Sequence, residues 1–279
     1  MTPLVFLLVV AAISFGAGFL GSLLGLGGGM IVVPALTLLL GIDIRLAIGA
    51  SIISVIATSS GAAAAYVRDR LANLRVAMFL ELGTTTGAIT GAWLAGILHA
   101  RWLFILFGSI LGYSAVAMIR GKSRSVRVYH EQSPFARRLN LSGSYFDDAR
   151  GEEIHYQPVR PMFGLALMYV AGIVSGLLGI GPGALKVPAM DLAMELPIKV
   201  STATSNFMIG VTAAASAGLY FARGQIDPFI AAPVAIGVLA GAFAGSKVLG
   251  RISSRAVRVT FVIVLLAVSL QMLFHGVRG

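Results

Sequence analysis

Backbone amides are the first candidate for chemistry in this chain. Gly25-Leu-Gly-Gly-Gly29 interrupts an apolar run that resumes as a short segment reaching Pro34, and Gly179-Ile-Gly-Pro-Gly183 does the same on the way to Pro188. A helix broken inside an apolar medium leaves N–H groups without intrahelical partners. The N-terminus of the resumed helix carries roughly half a positive charge. Together these features make a site for an anion. Glycine suits the break because it admits positive φ and lets a ligand approach the main chain. Gly27, Gly28 and Gly29 in one copy, and Gly181, Pro182 and Gly183 in the other, are therefore the candidate binding residues. The alternative use of such glycines is close helix packing. That is the reading preferred for Gly87 and Gly91, and for Gly237, Gly241 and Gly245.

Side chains sharpen the picture. Lys186 falls in the first turn of the second resumed segment, where the dipole mildly disfavours a cation, and the positions three and four residues on are Ala189 and Met190. Its compensating charge must come from a bound anion, from another helix such as the one bearing Glu81, or from water; the alternative is a lysine snorkelling to a headgroup. Ser51 and Ser205 stand 154 residues apart, as do Thr58 and Thr212, each in a hydroxyl-rich stretch after a resumed segment. Ser51, Ser205 and Asn206 are chosen as donors that orient an oxyanion, the other hydroxyls as packing groups bonding their own helix. Glu81 lies six residues inside its run. It could couple protons if burial raises its affinity for one, but pairing with an arginine at the interface is the preferred expectation. Asp43, Asp69, Arg223 and Asp227 read as solvated. No histidine pair has metal-ligand spacing, and no catalytic residue, metal or cofactor is expected. An intramembrane hydrolase using Ser51 would need a base, and no histidine lies deep within a run. A cation carrier would need paired carboxylates, whereas a lysine and helix N-termini have the wrong sign.

The elements that must position these groups are membrane-spanning helices. The residues are 57% hydrophobic and 11% charged, with mean hydropathy +0.91, against about 25% charged in a typical soluble domain. Runs at 4–25, 45–67, 76–98, 102–119, 162–180, 199–222, 228–249 and 257–275 approach the roughly 20 residues that cross the hydrocarbon core, and none alternates as a β-barrel strand does. The expected fold is an all-α integral membrane protein with two inverted repeats. It has about eight full helices and two short or broken ones, at 29–40 and 183–195. Positions 18–34 and 172–188 agree at 8 of 17 residues, and a second correspondence, Gly87 and Gly91 with the 237–245 glycines, needs a four-residue slip. Residues 1–120 form the first repeat, 121–161 a cytoplasmic linker and 162–279 the second repeat.

The charge of +10 lies mostly between the runs, the pattern of topology signals and not of a nucleic-acid face. With the linker in the cytoplasm, sixteen of the 21 Lys and Arg fall inside and four outside, Lys186 being within a run. Both termini are then outside. Within the linker, Ser144–Asp147 and Glu152–Tyr156 flank a turn-like Asp-Ala-Arg-Gly and predict a small hairpin. The preferred expectation for it is a solvated connector, with a regulatory contact as the lesser alternative. The chain has no cysteine. The expected partners are a small anion and the bilayer, with further copies of the chain left open.

The paired Gly-x-Gly-Gly-Gly-x4-Pro and Gly-x-Gly-Pro-Gly-x4-Pro segments, in a chain of this length, resemble the TauE/SafE family of sulfite exporters and related anion permeases. The resemblance covers nearly the whole chain. It implies a bacterial or archaeal inner-membrane permease for sulfite, sulfonates or other small sulfur oxyanions and organic acids. Pro182 departs from the pattern, removing one N–H, so the two half-sites are not equivalent. The expected function is export of a small sulfur-containing anion by alternating access. A proton-coupled permease for another small anion or organic acid is the alternative.

Overall fold

Each apolar run becomes a helix, and the two glycine clusters interrupt the chain where expected. The computed structural model describes residues 3–95, 97–98, 100–120, 134–148, 151–179, 183–249 and 251–278. In chain order the elements begin with α1 (Pro3–Leu24), α2 (Gly29–Pro34), α3 (Ile44–Arg68), α4 (Leu74–Ala95) and α5 (Ala100–Arg120). The linker holds α6 (Pro134–Arg138), β1 (Gly143–Asp147) and β2 (Glu152–Tyr156). Then come α7 (Pro161–Leu178), α8 (Gly183–Pro188), α9 (Ile198–Ala222), α10 (Pro228–Leu249) and α11 (Ser254–Arg278).

The starts of α2, α3 and α4 recur in α8, α9 and α10 at an offset of 154. Both short helices continue into one wide π-type turn, Ala35–Leu39 and Ala189–Ala193. Pro34 and Pro188 explain the widening: neither ring nitrogen can close the bond to the residue four back, so the next bonds reach further. Met194 N–H donates to the Ala189 carbonyl, five residues back, at 3.1 Å. Helix and wide turn together reach about 16 Å at 1.5 Å per residue, half of the roughly 30 Å core.

The halves interdigitate. α1 packs on α10 and α7 on α4, while α3 and α9 lie against each other and each touches the partner pair. Glycines set these contacts. Gly83, Gly87 and Gly91 of α4 lie against the carbonyls of Leu165, Tyr169 and Ile173 on α7. Gly237, Gly241 and Gly245 of α10 lie against Ala11, Phe15 and Phe19 of α1. A Cβ at any of these positions would press on the opposing carbonyl. The four-residue slip is thereby corrected: Gly87 corresponds to Gly241 at the common offset, and Gly83 is the glycine the shorter pattern overlooked.

Among the described residues eight helices have 18 residues or more, and six of them, α1, α3, α5, α7, α10 and α11, are long and apolar enough to cross a membrane. The other two, α4 and α9, carry the polar load. Thr84, Ser201, Thr202, Thr204, Ser205, Asn206 and Thr212 are all fully buried on them. Apolar side chains of the outer helices point away from the bundle, among them Leu8, Trp102, Tyr113, Ile236 and Phe274. Trp93 and Trp102 are exposed, as members of an interfacial aromatic belt are.

The hairpin forms as read, with Gly143 opposite Tyr156 and Asp147 opposite Glu152. It is not a loose connector, however. Tyr145, Ile154 and Tyr156 are buried, and the hairpin is tied to the helix ends. Asn73 Nδ2 donates to the Leu141 carbonyl at 2.9 Å and to the Tyr156 hydroxyl at 3.1 Å. Lys199 Nζ, at the start of α9, donates to Asp147 Oδ1 at 2.8 Å, both side chains being buried. Burial pushes the Tyr156 phenol above its usual range, against the smaller pull of the Asn73 bond, which keeps it a neutral hydroxyl.

Candidate functional site

Two chain breaks meet at the centre of the bundle. α1 ends at Leu24, and Gly25 and Gly27 take left-handed φ values of 68° and 72°. α7 ends at Leu178, with Gly179 at 61°. Gly181 and Pro182, two of the candidate residues, lie outside the described residues. Gly183 opens α8 so close to the Gly25 carbonyl that a Cβ there would overlap it.

A long helix from each half closes the break of the other. Ser51 Oγ donates to the Gly179 carbonyl at 2.8 Å, and Ser205 Oγ donates to the Gly25 carbonyl at 2.7 Å. These carbonyls belong to helix C-termini, which leave acceptors unsatisfied. A serine hydroxyl has one hydrogen to give. As arranged, Ser51 and Ser205 offer an incoming ligand lone pairs, and their hydrogens are committed to the main chain. One turn earlier the same reciprocity appears in tyrosine: Tyr66 donates to the Ser22 carbonyl at 2.9 Å and Tyr220 to the Gly176 carbonyl at 2.6 Å.

On the first side of this arrangement, Gly28 N–H donates to Thr58 Oγ1 at 3.0 Å, and Thr58 passes its own hydrogen to the Ser54 carbonyl at 2.8 Å. Thr58 is thus more than a packing hydroxyl. The next two amides, of Gly29 and Met30, make no hydrogen bond among the described residues. A Cβ on Gly29 would strike Ser51 Oγ. Asn206 Nδ2 donates to the Ser22 carbonyl at 2.6 Å. Its Oδ1, with Ser201 Oγ and Thr202 Oγ1, has no hydrogen-bond partner among the described residues, although all three side chains are fully buried.

The second side is built differently. The residue equivalent to Gly28 is Pro182, which has no N–H to offer Thr212. Thr212 instead accepts from Lys186 Nζ at 2.8 Å and donates to Glu81 Oε1 at 2.5 Å. Lys186 Nζ also donates to Glu81 Oε2 at 3.2 Å, and Thr85 Oγ1 donates to Glu81 Oε1 at 3.0 Å. Lys186 is fully buried, while the Glu81 side chain keeps 13% of its surface. Of the three sources of countercharge open to Lys186, the structure uses the helix bearing Glu81. The expectation of an interfacial arginine for Glu81 is corrected with it: the carboxylate faces α8 and pairs with Lys186. At the two equivalent positions, one in each half, stand Val32 and Ala235, so the ion pair has no counterpart.

Two further buried pairs escaped the sequence because each joins distant segments. Asp147 meets Lys199, and Asp191 in the wide turn after α8 meets Arg258 of α11. Arg223, expected to be solvated, donates to the Ala92 carbonyl at 2.7 Å and closes the end of α4. Asp43 and Asp227 stay at loop edges, where they accept from the first-turn amides of Arg45 and Phe229, each at 2.8 Å. Among the described residues no three His, Asp or Glu side chains gather as a metal site would require. His99 and His130 lie outside those residues, and His275 packs on the Phe104 ring, 4.8 Å between centroids.

Comparison with known proteins points to membrane transport. The sequence model of the family described as sulfite exporter TauE/SafE matches residues 10–272. A "probable membrane transporter protein" of Bacillus subtilis is 27% identical over 277 residues, covering 96% of this chain and 98% of its own. Proteins of the same description are 24% identical in Xylella fastidiosa, over 93% of this chain and 92% of its own, and 24% identical in Methanocaldococcus jannaschii, over 97% and 96%. No solved structure matches the chain. With nearly its full length matched, this multi-pass membrane transport protein belongs to the TauE/SafE family.

Proposed function

We propose that the chain exports a small sulfur-containing anion, sulfite or an organosulfonate, by alternating access. The observation that carries this reading is the meeting of two broken helices, one from each half, each tied to the other half through Ser51 and Ser205. Gly27, Gly28, Gly29 and Gly183 line the substrate's place, and Gly181 and Pro182 belong to the same site by the sequence reading. The amides of Gly29 and Met30 supply donors aimed at it. Ser51, Ser205 and Asn206 orient the oxyanion once a change of state releases them from main-chain carbonyls. Lys186 adds the positive charge.

In this reading α4 and α9 cross the membrane with the six apolar helices, and the halves are inverted repeats. The linker is cytoplasmic and both termini are outside, in a bacterial or archaeal inner membrane. The distribution of Lys and Arg supports the orientation, and the bacterial and archaeal relatives support the setting. Each negative charge leaving a cell held at −100 mV gains about 2.3 kcal/mol. Because Glu81 accompanies Lys186, the second reading is a proton-coupled permease for another small anion or organic acid. A hydrolytic role for Ser51 finds less support, since its hydroxyl hydrogen goes to a carbonyl and not to a base.

Flux into proteoliposomes tests the proposal, with sulfite, thiosulfate, sulfoacetate, sulfate and chloride offered with and without a pH gradient. Saturable movement of one or more sulfur oxyanions, with chloride excluded, is the expected result. No flux of any of them, or equal passage of chloride, overturns it.

A further inference from the structure

Lys186 and Glu81 neutralise each other in the same place where an anion must bind, and that conflict suggests how the carrier is driven. A carboxylate already holding the lysine competes with any substrate for it. Removing Glu81 as an anion while a second anion enters would leave the interior with an unbalanced negative charge, which is costly in the membrane. Protonating Glu81 removes the conflict. The carboxyl group gains an O–H bond and gives up its electrostatic hold on Lys186 Nζ, and an oxygen of the substrate takes the vacated position. The buried site is neutral before, as ammonium and carboxylate, and neutral after, as ammonium, carboxylic acid and bound monoanion.

We propose that Lys186 and Glu81 form an exchangeable ion pair in which a monovalent oxyanion displaces the Glu81 carboxylate as Glu81 takes up one proton from solvent. This rests on the transporter reading above and adds its coupling ion. The geometry favours Glu81 as the proton acceptor. It is the member of the pair that keeps surface, 13% against none for Lys186. Thr85 and Thr212 both point hydroxyl hydrogens at Oε1, while Oε2 carries the bond to Lys186. Oε2 is therefore the oxygen that changes partner.

Other titratable groups on the neighbouring elements are engaged elsewhere or face outward. On α9, Lys199 holds Asp147, Tyr220 donates to Gly176 and Arg223 donates to Ala92. Asp191 holds Arg258. On α4, Arg75 donates to the Asn140 carbonyl. Tyr169 of α7 and Arg101, Tyr113 and Arg120 of α5 are exposed. With Val32 and Ala235 at the two equivalent positions, one proton accompanies each turnover; carriage of a monoanion is then insensitive to membrane potential, unlike the uncoupled export considered above, and its direction follows the anion and pH gradients together.

The test uses the full chain in proteoliposomes with sulfite, thiosulfate and methanesulfonate, the last of which does not titrate near neutral pH. Counterflow without a pH gradient comes first; if none of the three moves, the transporter reading fails and the exchange fails with it. With potassium and valinomycin holding the potential at zero, the exchange expects methanesulfonate, or whichever probe moves, to accumulate about tenfold per unit of pH gradient. Glu81→Gln is expected to lose that accumulation, and calorimetry in buffers of different ionisation heat is expected to show proton uptake on binding fall from one to none. Thr85→Val removes a hydrogen bond that favours the carboxylate, so the midpoint of proton uptake is expected to move to higher pH. Wild-type flux that ignores the pH gradient, tenfold accumulation surviving in Glu81→Gln, or an unmoved midpoint in Thr85→Val overturns the exchange.

Discussion

Ser205 reaches across 180 residues of sequence to donate its hydroxyl hydrogen to the carbonyl of Gly25, at 2.7 Å and with no exposed surface. The bond does what the missing helical turn would have done. Its equivalent from Ser51 to Gly179 performs the same service for the other break. Removing a donor from a buried carbonyl costs about 1–3 kcal/mol. Ser205→Ala and Ser51→Ala are each expected to destabilise the protein by that amount, read as a lowered Tm in detergent. A double variant whose loss departs from the sum of the singles would show that the breaks are held as one unit; strict additivity would show that they are not.

The glycines of the first break admit little else. A Cβ on Gly28 would lie 3.0 Å from both Thr58 Oγ1 and a Val238 methyl carbon. Gly28→Leu is expected to abolish transport while leaving the protein inserted in the membrane. Gly183→Ala, whose new methyl would press on the Gly25 carbonyl, is expected to separate the breaks and lower flux at least tenfold. Normal flux in both variants removes the proposed site.

Lys186→Met leaves Glu81 with its threonines but without its cation. Breaking a buried pair by removing one member costs about 3–5 kcal/mol. The variant is expected to be less stable by that order and to bind anions more weakly. Adding Glu81→Gln removes the stranded charge, so the double variant is expected to regain most of the stability and none of the affinity. Thermal unfolding and anion titration on the same preparations separate the two effects; a double variant as unstable as the single would refute this account of the pair.

The linker hairpin carries a prediction of its own. Asp147→Asn weakens the hold on the fully buried Lys199 ammonium and is expected to loosen the strands from α4 and α9. Limited proteolysis should then cut between residues 143 and 156 faster than in the parent protein. Unchanged protection would mean that the Asn73 contacts to Leu141 and Tyr156 suffice.

Much of the scaffold was legible in the residues, because local rules decide it. Glycine clusters and following prolines located both breaks, and a turn-like Asp-Ala-Arg-Gly between β-prone runs located the hairpin. The equal offsets of Ser51 with Ser205 and Thr58 with Thr212 match the 154 residues at which the starts of α2, α3 and α4 recur. The partners of those residues were not legible, since a sequence does not state which helix crosses which. Lys186 was read either as needing a negative charge or as snorkelling to a headgroup, and choosing Glu81 required α4 to lie against α9 and α8 against α9. The full count of eight runs met a different limit. α4 and α9 are long enough, yet their hydroxyls and Glu81 make them too polar to qualify as spans by apolarity. Their polarity belongs to the interior they share.

Pro182 stands where its counterpart is Gly28, so Thr212 has no amide there to accept from, while Thr58 has one. The hydroxyl left without that amide takes the Lys186 ammonium instead. Thr58 braces the backbone of its own half, while Thr212 joins one charge from each half, Lys186 and Glu81. The result is a division of labour in which a nearly symmetric frame carries this buried charge pair at only one of its two equivalent places.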